Sequence, residues 1–297
     1  MKIIITGSLG NISRPLAAAL IEKGHSVTVV SSSSERREEI QAMGASAAIG
    51  SLENKDFLAG VFRGADSAYC MIPPGNHRDA DFDIYGYYER VAASYHAAIT
   101  ASGVRHIVHL SSIGAEMESG NVFIAEHHKV EVKLDTLPTS VAITTLRPAA
   151  FYYNLLAFIP TIRATGSIRS NYGGADVCPW VSPLDIARAA TEEIEALSRD
   201  RKIRYVASEE RSCDEIAAIL GTAIGKPELS WQRISDAAVQ QALEATGMNP
   251  AIARGFVEMN ASIHSGRLME DYFQHRPLLG PTKFQDFQPA FAAAYGA

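Results

Sequence analysis

Near the amino terminus, two glycines lie in a turn between an apolar run and a helical pattern. The run at 2–6 is β-branched and almost continuously apolar, as is a second run at 26–30, which is typical of strands covered on both faces of a parallel sheet. Between the runs, apolar residues recur at helical spacing as far as Gly24, a residue suited to a left-handed helix end. Gly7 and Gly10 therefore lie where a strand passes into a helix, and this region predicts a β-α-β unit.

The same alternation continues through the first half of the chain. Strands that alternate with helices indicate an α/β fold, a doubly wound parallel sheet of the Rossmann type. The further strands are predicted at 45–49, 67–72, 104–110 and 140–146, and the helices between them at 35–43, 55–63, 84–102 and 126–136.

The pattern loosens in the middle of the chain. Aromatic residues, prolines and a glycine pair at 148–181 indicate irregular structure. Regularity returns with a helix at 183–198 and a strand at 204–208, and further helices are predicted from Ser212 and from Asn249. We therefore expect a Rossmann domain at 1–150, to which 182–208 returns, and a smaller, mostly helical C-terminal substrate lobe made of 151–181 and 209–297.

Composition excludes several classes of protein. The formal net charge is -6 and basic residues form no run longer than a pair, so no nucleic-acid partner is expected. Cys70, Cys178 and Cys213 lack the spacing of a disulfide or zinc framework and are interpreted as reduced thiols. No segment approaches the roughly 18 apolar residues of a membrane helix, and the first residues lack a signal peptide's longer apolar region. We expect a cytoplasmic protein with no metal site and no membrane partner.

The turn at Gly7 and Gly10 also suggests a ligand. In a G-x-x-G-x-x-[G/A] turn the backbone can approach a pyrophosphate, whose charge is met by free N–H groups at the helix N-terminus. Only the third position departs from the pattern, since it is Ser13. The alternative is a tight turn with a purely structural role, but its position between strand and helix favours a dinucleotide.

The end of the second strand distinguishes between the two nicotinamide cofactors. NAD binding usually uses an acid here for the ribose 2′-hydroxyl, whereas NADP binding needs hydroxyls and cations for the phosphate. The sequence has four serines from Ser31 to Ser34, followed by Glu35, Arg36 and Arg37. NADP(H) is therefore favoured, and Glu35 keeps NAD possible. The alternative is that the serines cap the next helix and the arginines are solvated surface.

Several motifs recur in order along the chain. They are ITGSLGNISRPL at the start, GSLENKDFL (50–58), VRHIVHLSSIGA (104–115), H-x-x-x-E-x-x-L from His127 to Leu134, LRPAAFYYNLL (146–156) and VSPLDIA (181–187). Together these motifs resemble the NmrA-like family of atypical short-chain dehydrogenase/reductases. That resemblance implies a dinucleotide at the carboxyl ends of the strands and a substrate cleft beside the C-terminal helices.

The resemblance also implies which residues contact the cofactor. Ser51 stands where the family has an acid near the adenine. The cofactor residues are Gly7, Ser8, Leu9, Gly10, Asn11 and Ile12 in the phosphate turn, Ser31, Ser32, Ser33 and Arg36 at the ribose and its phosphate, Ser51 and Leu52 near the adenine, Met71, Ile72 and Pro73 after the fourth strand, Ser111 and Ser112 near the nicotinamide, and Phe151 and Asn154 after the sixth strand.

The Tyr-x-x-x-Lys pair of classical and extended short-chain dehydrogenases is missing. None of the 11 tyrosines has a lysine four residues later, so the usual alcohol dehydrogenase or epimerase mechanism is not expected. His127 could supply a proton near neutral pH, and the alternative is that it only hydrogen-bonds the backbone or the cofactor. Tyr152 is the second candidate catalytic residue.

Two functional hypotheses follow from these motifs. The first is an NAD(P)H-dependent reductase that transfers hydride to a small aromatic, quinone-like or dye-like acceptor, since the NmrA-like family contains such enzymes. The second is a regulatory protein that binds NADP and senses its state without turnover, since the family also contains such regulators. The sequence leaves the identity of the acceptor open, and it does not distinguish a monomer from a homodimer.

Overall fold

The computed structural model describes residues 1–79, 81–119 and 121–296, except for the side chain of Val122. Twelve strands are seen in this part of the chain. They are β1 (Lys2–Ile5), β2 (Ser26–Ser31), β3 (Ser46–Ile49), β4 (Ser67–Cys70), β5 (His106–Leu110), β6 (Ala142–Pro148), β7 (Ala150–Phe151), β8 (Ser167–Ser170), β9 (Val177–Val181), β10 (Arg201–Val206), β11 (Glu209–Ser212) and β12 (Ser230–Arg233).

Helices connect most of these strands, and short 3₁₀ turns lie at Ser34–Arg36, Tyr152–Phe158 and Arg267–Met269. The α-helices are α1 (Ser13–Glu22), α2 (Arg37–Ala42), α3 (Lys55–Phe62), α4 (Ile84–Ser102), α5 (Val122–Asp135), α6 (Ile159–Thr165), α7 (Pro183–Ala196), α8 (Cys213–Ala223), α9 (Asp236–Ala245), α10 (Pro250–His264), α11 (Glu270–Gln274) and α12 (Phe284–Gly296).

Seven parallel strands form the central sheet, in the order β10-β6-β5-β4-β1-β2-β3. Ile4 pairs with Thr28 on one side and with Ala68 on the other. The strand order turns back between β1 and β4, which is where doubly wound folds bind their ligands. The predicted fold class, a Rossmann-type sheet, is confirmed.

Apolar residues of the central strands face both ways because helices cover both faces of the sheet. Ile3 and Ile5 pack on the face that carries α1 and α7, whereas Ile4 packs on the face that carries α3, α4 and α5. All three side chains are completely buried. The continuous apolar run at 2–6 therefore reflects a strand without a solvent face.

The predicted irregular structure at 148–181 is wrong in part, because this region contains β7, β8, β9 and α6. These strands have two to five residues. Their partners lie far along the chain, since β9 pairs with β11 and β8 pairs with β12. Such short strands have little periodicity of their own, and no sequence pattern indicated β12. Together they form a three-stranded and a two-stranded sheet beside the central one.

The chain returns to the central sheet between these small sheets. Helix α7 packs on α1, and β10 pairs with β6 along the edge of the sheet. The last part of the chain is then attached to α7 through Asp185, a buried carboxylate that accepts hydrogen bonds from the backbone N–H of Thr282 at 3.1 Å and from its hydroxyl at 2.9 Å. Within the described residues, no helix is long and apolar enough to cross a membrane.

Candidate dinucleotide and acceptor site

The turn after β1 has a backbone that only a glycine adopts easily. Gly7 has φ +89°, and a Cβ atom placed there would lie 2.4 Å from Sδ of Met71. Ser8 follows with φ +55°, and its backbone N–H donates to the carbonyl of Val30 at 3.0 Å. The turn is thus held close against the ends of β2 and β4, with its backbone uncovered by a side chain at Gly7.

Several N–H groups in this turn have no acceptor among the described residues. They include those of Leu9, Asn11 and Ile12, immediately before α1. Free N–H groups at a helix N-terminus attract anions, because the helix dipole adds a partial positive charge. The turn therefore suits a pyrophosphate.

Ser13 occupies the third position of the motif, where the pattern has glycine or alanine. Its side chain is buried, and its hydroxyl donates to the carbonyl of Thr6 at 2.9 Å. This bond ties the first turn of α1 to the end of β1. The departure from the motif is therefore compatible with close packing of helix against strand.

The ends of β1 and β4 are joined by a buried hydrogen-bond network. The Met71 N–H donates to Oγ1 of Thr6 at 2.9 Å, and the Tyr95 hydroxyl donates to the carbonyl oxygen of Met71 at 2.6 Å. Ile72 is buried behind it, and Pro73 is partly exposed. These contacts fix the crevice between β1 and β4, where we predicted that Met71, Ile72 and Pro73 line the cofactor.

The predicted ribose region lies next to the phosphate turn. The Ser8 hydroxyl donates to Oγ of Ser31 at 2.9 Å, and Ser31 in turn accepts the Ser33 N–H at 3.2 Å. Ser32 is exposed at the strand end. Ser31 thus bonds the phosphate turn directly, and Ser33 forms no helix cap by its side chain.

Two arginines face the same carboxylate near this strand end. Arg36 Nη1 lies 2.6 Å from Glu39, and Arg14 bonds the other oxygen of that carboxylate. The two guanidinium groups lower the pKa of Glu39. Sequence reasoning missed Arg14. The sequence signal for Arg14 was its position in the first turn of α1, directly after the phosphate turn, where a cation lies close to a bound anion.

The predicted adenine contact lies in the turn between β3 and α3. The Ser51 hydroxyl accepts the N–H of Glu53 at 3.1 Å and so shapes its own turn. Leu52 packs against the core beside α3 and α4. Position 51 therefore carries a hydroxyl and no carboxylate.

A buried ion cluster lies beside the predicted nicotinamide end. The Ser111 hydroxyl donates to Oε1 of Glu131 at 2.5 Å, and Arg147 bonds both oxygens of Glu131, at 3.0 and 2.7 Å. Arg147 also contacts Glu116 at 3.1 Å and Asp271 at 3.5 Å. The Glu131 carboxylate is thereby fixed by two partners, and it holds the Ser111 hydroxyl in one orientation.

The neighbouring serine of the predicted cofactor set has a different role. The Ser112 hydroxyl donates to the carbonyl of Ile113 at 3.0 Å. Its side chain is only partly buried. Ser112 therefore bonds its own backbone segment, and Ser111 alone is held by the ion cluster.

His127 lies on α5 with its ring edge-on to Tyr88, the ring centres 5.4 Å apart. Burial is the main cause that lowers its pKa to about 4, with His109 acting in the same direction and Glu131 opposing the change. His127 is therefore neutral at pH 7. At this pKa few imidazolium ions are present at pH 7, and the role of His127 as a proton donor stays a prediction. On the next residue, His128, Nδ1 lies 2.9 Å from the carbonyl oxygen of Ala115.

Tyr152 does not reach the cofactor crevice. It is buried in the core beside the small sheets, with its ring 4.2 Å from that of Phe284 and its hydroxyl donating to the carbonyl of Thr282 at 3.1 Å. The 3₁₀ turn at Tyr152–Phe158 sends successive side chains in different directions. Its role as a candidate catalytic residue is therefore corrected to a structural one.

The next residue, Tyr153, contacts the phosphate turn. Its side chain hydrogen-bonds Asn11 of the phosphate turn. Burial raises the pKa of Tyr153 to about 12, so its hydroxyl keeps its proton at pH 7. Its ring lies 5.1 Å from that of Phe151, which is partly exposed. Asn154 is exposed. The segment after β6 thus brings an aromatic pair, Phe151 and Tyr153, to the phosphate turn.

A separate cavity of about 860 Å³ lies along β10. It is lined by Arg147 and Tyr205 and, on its apolar side, by Ile203, Leu278 and Leu279. None of its lining residues belongs to the predicted cofactor set. No sequence signal pointed to it, because its wall combines β10, α7 and the segment after α11.

Comparison with known proteins gives one family and several relatives. The profile of the NmrA-like family matches residues 1–265. The (4-alkanoyl-5-oxo-2,5-dihydrofuran-3-yl)methyl phosphate reductase of Streptomyces griseus is 28% identical over 257 residues, which cover 86% of this chain and 85% of that protein. The NAD(P)H azoreductase of Xenophilus azovorans is 26% identical, and the alignment covers 99% of each chain.

Solved structures show the same fold. Triphenylmethane reductase from Citrobacter sp. aligns with a TM-score of 0.80 at 19% identity, over 99% of this chain and 100% of that chain. A structure of the same reductase complexed with NADP(H) aligns with a TM-score of 0.77 at 19% identity, over 97% and 99% of the two chains. The likeness extends over the small sheets as well as the central one.

Proposed function

Because the chain belongs to the NmrA-like family, we propose that it is an NAD(P)H-dependent reductase that transfers hydride to a small aromatic, quinone-like or dye-like acceptor. The observation that carries the proposal is the turn after β1. It combines the uncovered backbone at Gly7 with the free N–H groups of Leu9, Asn11 and Ile12. Two relatives support reduction as the reaction type, namely the azoreductase and the dihydrofuranyl-methyl phosphate reductase named above.

The residues present fit a nicotinamide dinucleotide. The turn would hold its pyrophosphate, the serines from Ser31 to Ser33 and the nearby arginines its ribose, and Ser111 the region of its nicotinamide. When bound, the cofactor supplies the hydride. Two arginines at the strand end favour NADP(H) over NAD, because a 2′-phosphate needs cations.

The protein's own contribution is positioning and exclusion of water. Met71, fixed by Thr6 and Tyr95, forms the floor of the crevice. The pair Phe151 and Tyr153 offers flat apolar surface on which an aromatic acceptor can stack. Holding the nicotinamide and the acceptor in one geometry raises the rate of hydride transfer. The translational and rotational entropy needed to bring them together is then lost on binding and not in the reaction step.

The proton that balances the reaction comes from solvent in this proposal. His127 is neutral at pH 7 because its pKa is about 4, and burial raises the pKa of Tyr88 above its ordinary value. A quinone or azo group that gains hydride becomes an anion basic enough to take a proton from water, whereas a cationic triarylmethane dye becomes neutral on gaining hydride and needs no proton. Neither side chain is therefore assigned as a general acid.

The experiment is a titration followed by a turnover assay. We expect the purified protein to quench or shift NADPH fluorescence with saturable binding, and to oxidise NADPH with at least one member of a panel of quinones, azo dyes and triarylmethane dyes. Failure to bind either NADPH or NADH would overturn the proposal. The same panel is run on Gly7→Ala, which alters the turn, and on Gly24→Ala as its control. Gly24 also has a positive φ but lies outside the turn.

A regulatory protein that binds NADP without turnover is the second candidate. It is favoured by the neutral His127 and by the lack of a Tyr-x-x-x-Lys pair. Tight NADPH binding without NADPH oxidation across the whole panel would support this candidate and contradict the reductase.

A further inference from the structure

The cavity along β10, called the β10 groove from here on, displays apolar side chains to solvent. Ile203 is 54% exposed, Leu279 is 46% exposed, and Leu278 is completely exposed. All three line the same groove. Single exposed apolar residues are ordinary on a protein surface, but a group of them in one place marks a site of interaction.

The segment that carries the two leucines is fixed to the rest of the molecule. The Gly280 N–H donates to the carbonyl oxygen of Ala207 at 2.8 Å. The Lys283 ammonium group donates to the carbonyl oxygens of Ser208 at 2.9 Å and Gly280 at 2.8 Å. Leu278 thus lies two residues from an anchored position, and the fold itself holds this leucine in solvent.

Strand β10 also forms one edge of the central sheet. Within the described residues, its hydrogen-bonded neighbour is β6 alone. Alternate backbone N–H and C=O groups of an edge strand point away from the neighbouring strand and can pair with a strand of another chain. Proteins commonly prevent such pairing by placing charged side chains along the edge.

The charged side chains of β10 do not protect its edge, because they bond to their own chain. Arg201 donates to backbone carbonyls at the end of α5 and in the segment after it. Lys202 bonds Glu193 at 2.5 Å. Arg204 bonds Glu192 at 2.6 Å and Glu193 at 2.8 Å. Their charges are therefore largely neutralised before a second strand approaches.

The charges of the β10 groove favour an identical surface as its partner. Acids and arginines are nearly balanced in its lining, although the whole chain carries a net charge of -6. In a two-fold pair, the acids of one copy can therefore meet the arginines of the other, whereas a partner of one charge sign would also meet like charges. The lining contains the acids Glu116, Asp185, Glu192 and Asp271 and the arginines Arg147, Arg188 and Arg204.

We propose that the β10 groove is the interface of a homodimer. The β10 strands of two copies lie antiparallel across a two-fold axis, which joins the two central sheets along their edges. Ile203, near the middle of β10, packs close to the axis, and Leu278 of each copy packs into the groove of the other. This inference is independent of the proposed function, because no residue of the groove belongs to the predicted cofactor set.

Sedimentation equilibrium of the full chain tests the inference at about 1 to 100 µM, the range in which an interface of modest size dissociates. We expect the mass to rise with concentration from 32.0 kDa towards twice that value. Leu278→Asp should raise the dissociation constant at least about tenfold, because a two-fold interface loses the apolar contact twice. Ile203→Lys should act in the same direction.

The matched control is Val132→Asp. Val132 is 51% exposed on α5 and does not line the groove, so this change should leave the dissociation constant unaltered. A thermal melt of each variant verifies that the fold is intact. For Leu278→Asp no loss of stability is expected in the monomer, because the leucine is completely exposed there.

Hydrogen exchange locates the interface. At about 100 µM the amides of 201–206 should exchange more slowly in wild type than in Leu278→Asp, because strand pairing protects them. Equal exchange in the two proteins would contradict pairing through β10.

A wild-type chain that stays monomeric over the whole concentration range would overturn the inference. A dimer that neither Leu278→Asp nor Ile203→Lys weakens would also overturn it, since another surface then forms the interface. If the chain is monomeric, binding of 8-anilinonaphthalene-1-sulfonate that Leu278→Asp abolishes would assign the groove to an apolar partner other than a second copy.

Discussion

At the scale of single residues, Gly7 determines whether the phosphate turn can form. Its φ of +89° disfavours any side chain, and an added Cβ atom would collide with Met71. We expect Gly7→Ala to lose NADPH binding and to reduce the free energy of unfolding by about 1–2 kcal/mol. Titration of NADPH and urea unfolding measure the two effects.

A matched control is available at Gly24. It has a similar φ of +81°, but an added Cβ atom would meet nothing within 4 Å. Gly24→Ala should share the backbone cost and retain full NADPH affinity. Equal loss of affinity in both variants would show that the contact with Met71 does not govern the turn.

His127 gives a prediction about pH. Its pKa is about 4 in the folded protein and about 6.5 in the unfolded chain, so the unfolded state binds the proton first as the pH falls. This contribution to stability is present above about pH 6.5 and is lost between about pH 6.5 and 4. Wild-type protein should lose unfolding free energy between pH 7 and pH 5. In His127→Gln this loss should be smaller than in wild type by about 1–2 kcal/mol. Urea unfolding at the two pH values measures it.

The exposed His275 supplies the comparison for this experiment. His275→Gln removes a histidine whose side chain is 63% exposed, and it is the control for the loss of an imidazole as such. The same pH dependence in wild type and His127→Gln would contradict the assigned pKa. It would also return His127 to consideration as a proton donor.

At the scale of secondary-structure elements, Arg147 joins β6 to α5. Its guanidinium is 5% exposed and bonds Glu131 and Glu116. Arg147→Met leaves these carboxylates without their cation in a buried place. We expect a loss of about 3–5 kcal/mol in unfolding free energy at pH 7, measured by urea unfolding.

An exposed ion pair shows the contrast. Arg90 bonds Glu53 at 2.5 Å, but its side chain is 54% exposed. Arg90→Met should cost less than about 1 kcal/mol, because solvent screens exposed pairs. A similar cost in both variants would mean that burial of Arg147 contributes little.

The elements also show what could be predicted from sequence. The strands of the central sheet and the turn at Gly7 were predictable, because each is encoded by contiguous residues. The sequence could not show that Tyr153, and not Tyr152, contacts the phosphate turn. That choice depends on the direction that a 3₁₀ turn gives to successive side chains. The pairing of Arg14 with Glu39 and of β8 with β12 was not predictable either, because in each case the partner lies in a distant part of the sequence.

At the scale of the whole molecule, the C-terminal helix α12 is part of the core although the family profile ends at residue 265. Phe284 and Phe291 are completely buried, and Phe284 contacts Tyr152 and Trp180. Each buried phenylalanine contributes about 3–5 kcal/mol, against a total stability of about 5–15 kcal/mol. A chain that ends at residue 283 should therefore fail to fold, as judged by circular dichroism and solubility.

A milder substitution in the full chain is the comparison for this truncation. Phe291→Leu in the full chain preserves most of the volume and should cost less than about 1.5 kcal/mol. A soluble, cooperatively folding chain that ends at residue 283 would show that α12 is dispensable.

The path of the chain between the sheets limits how such a protein can be re-engineered. The three-stranded sheet takes β7 and β9 from before β10, and β11 from after it. Transplanting the predicted substrate lobe, 151–181 and 209–297, as one contiguous cassette would break this sheet in two. Its exchange therefore requires two grafts made together, one on each side of α7 and β10, with the junctions at Ser182 and Ser208 preserved, since the Ser208 hydroxyl accepts the Ser182 N–H.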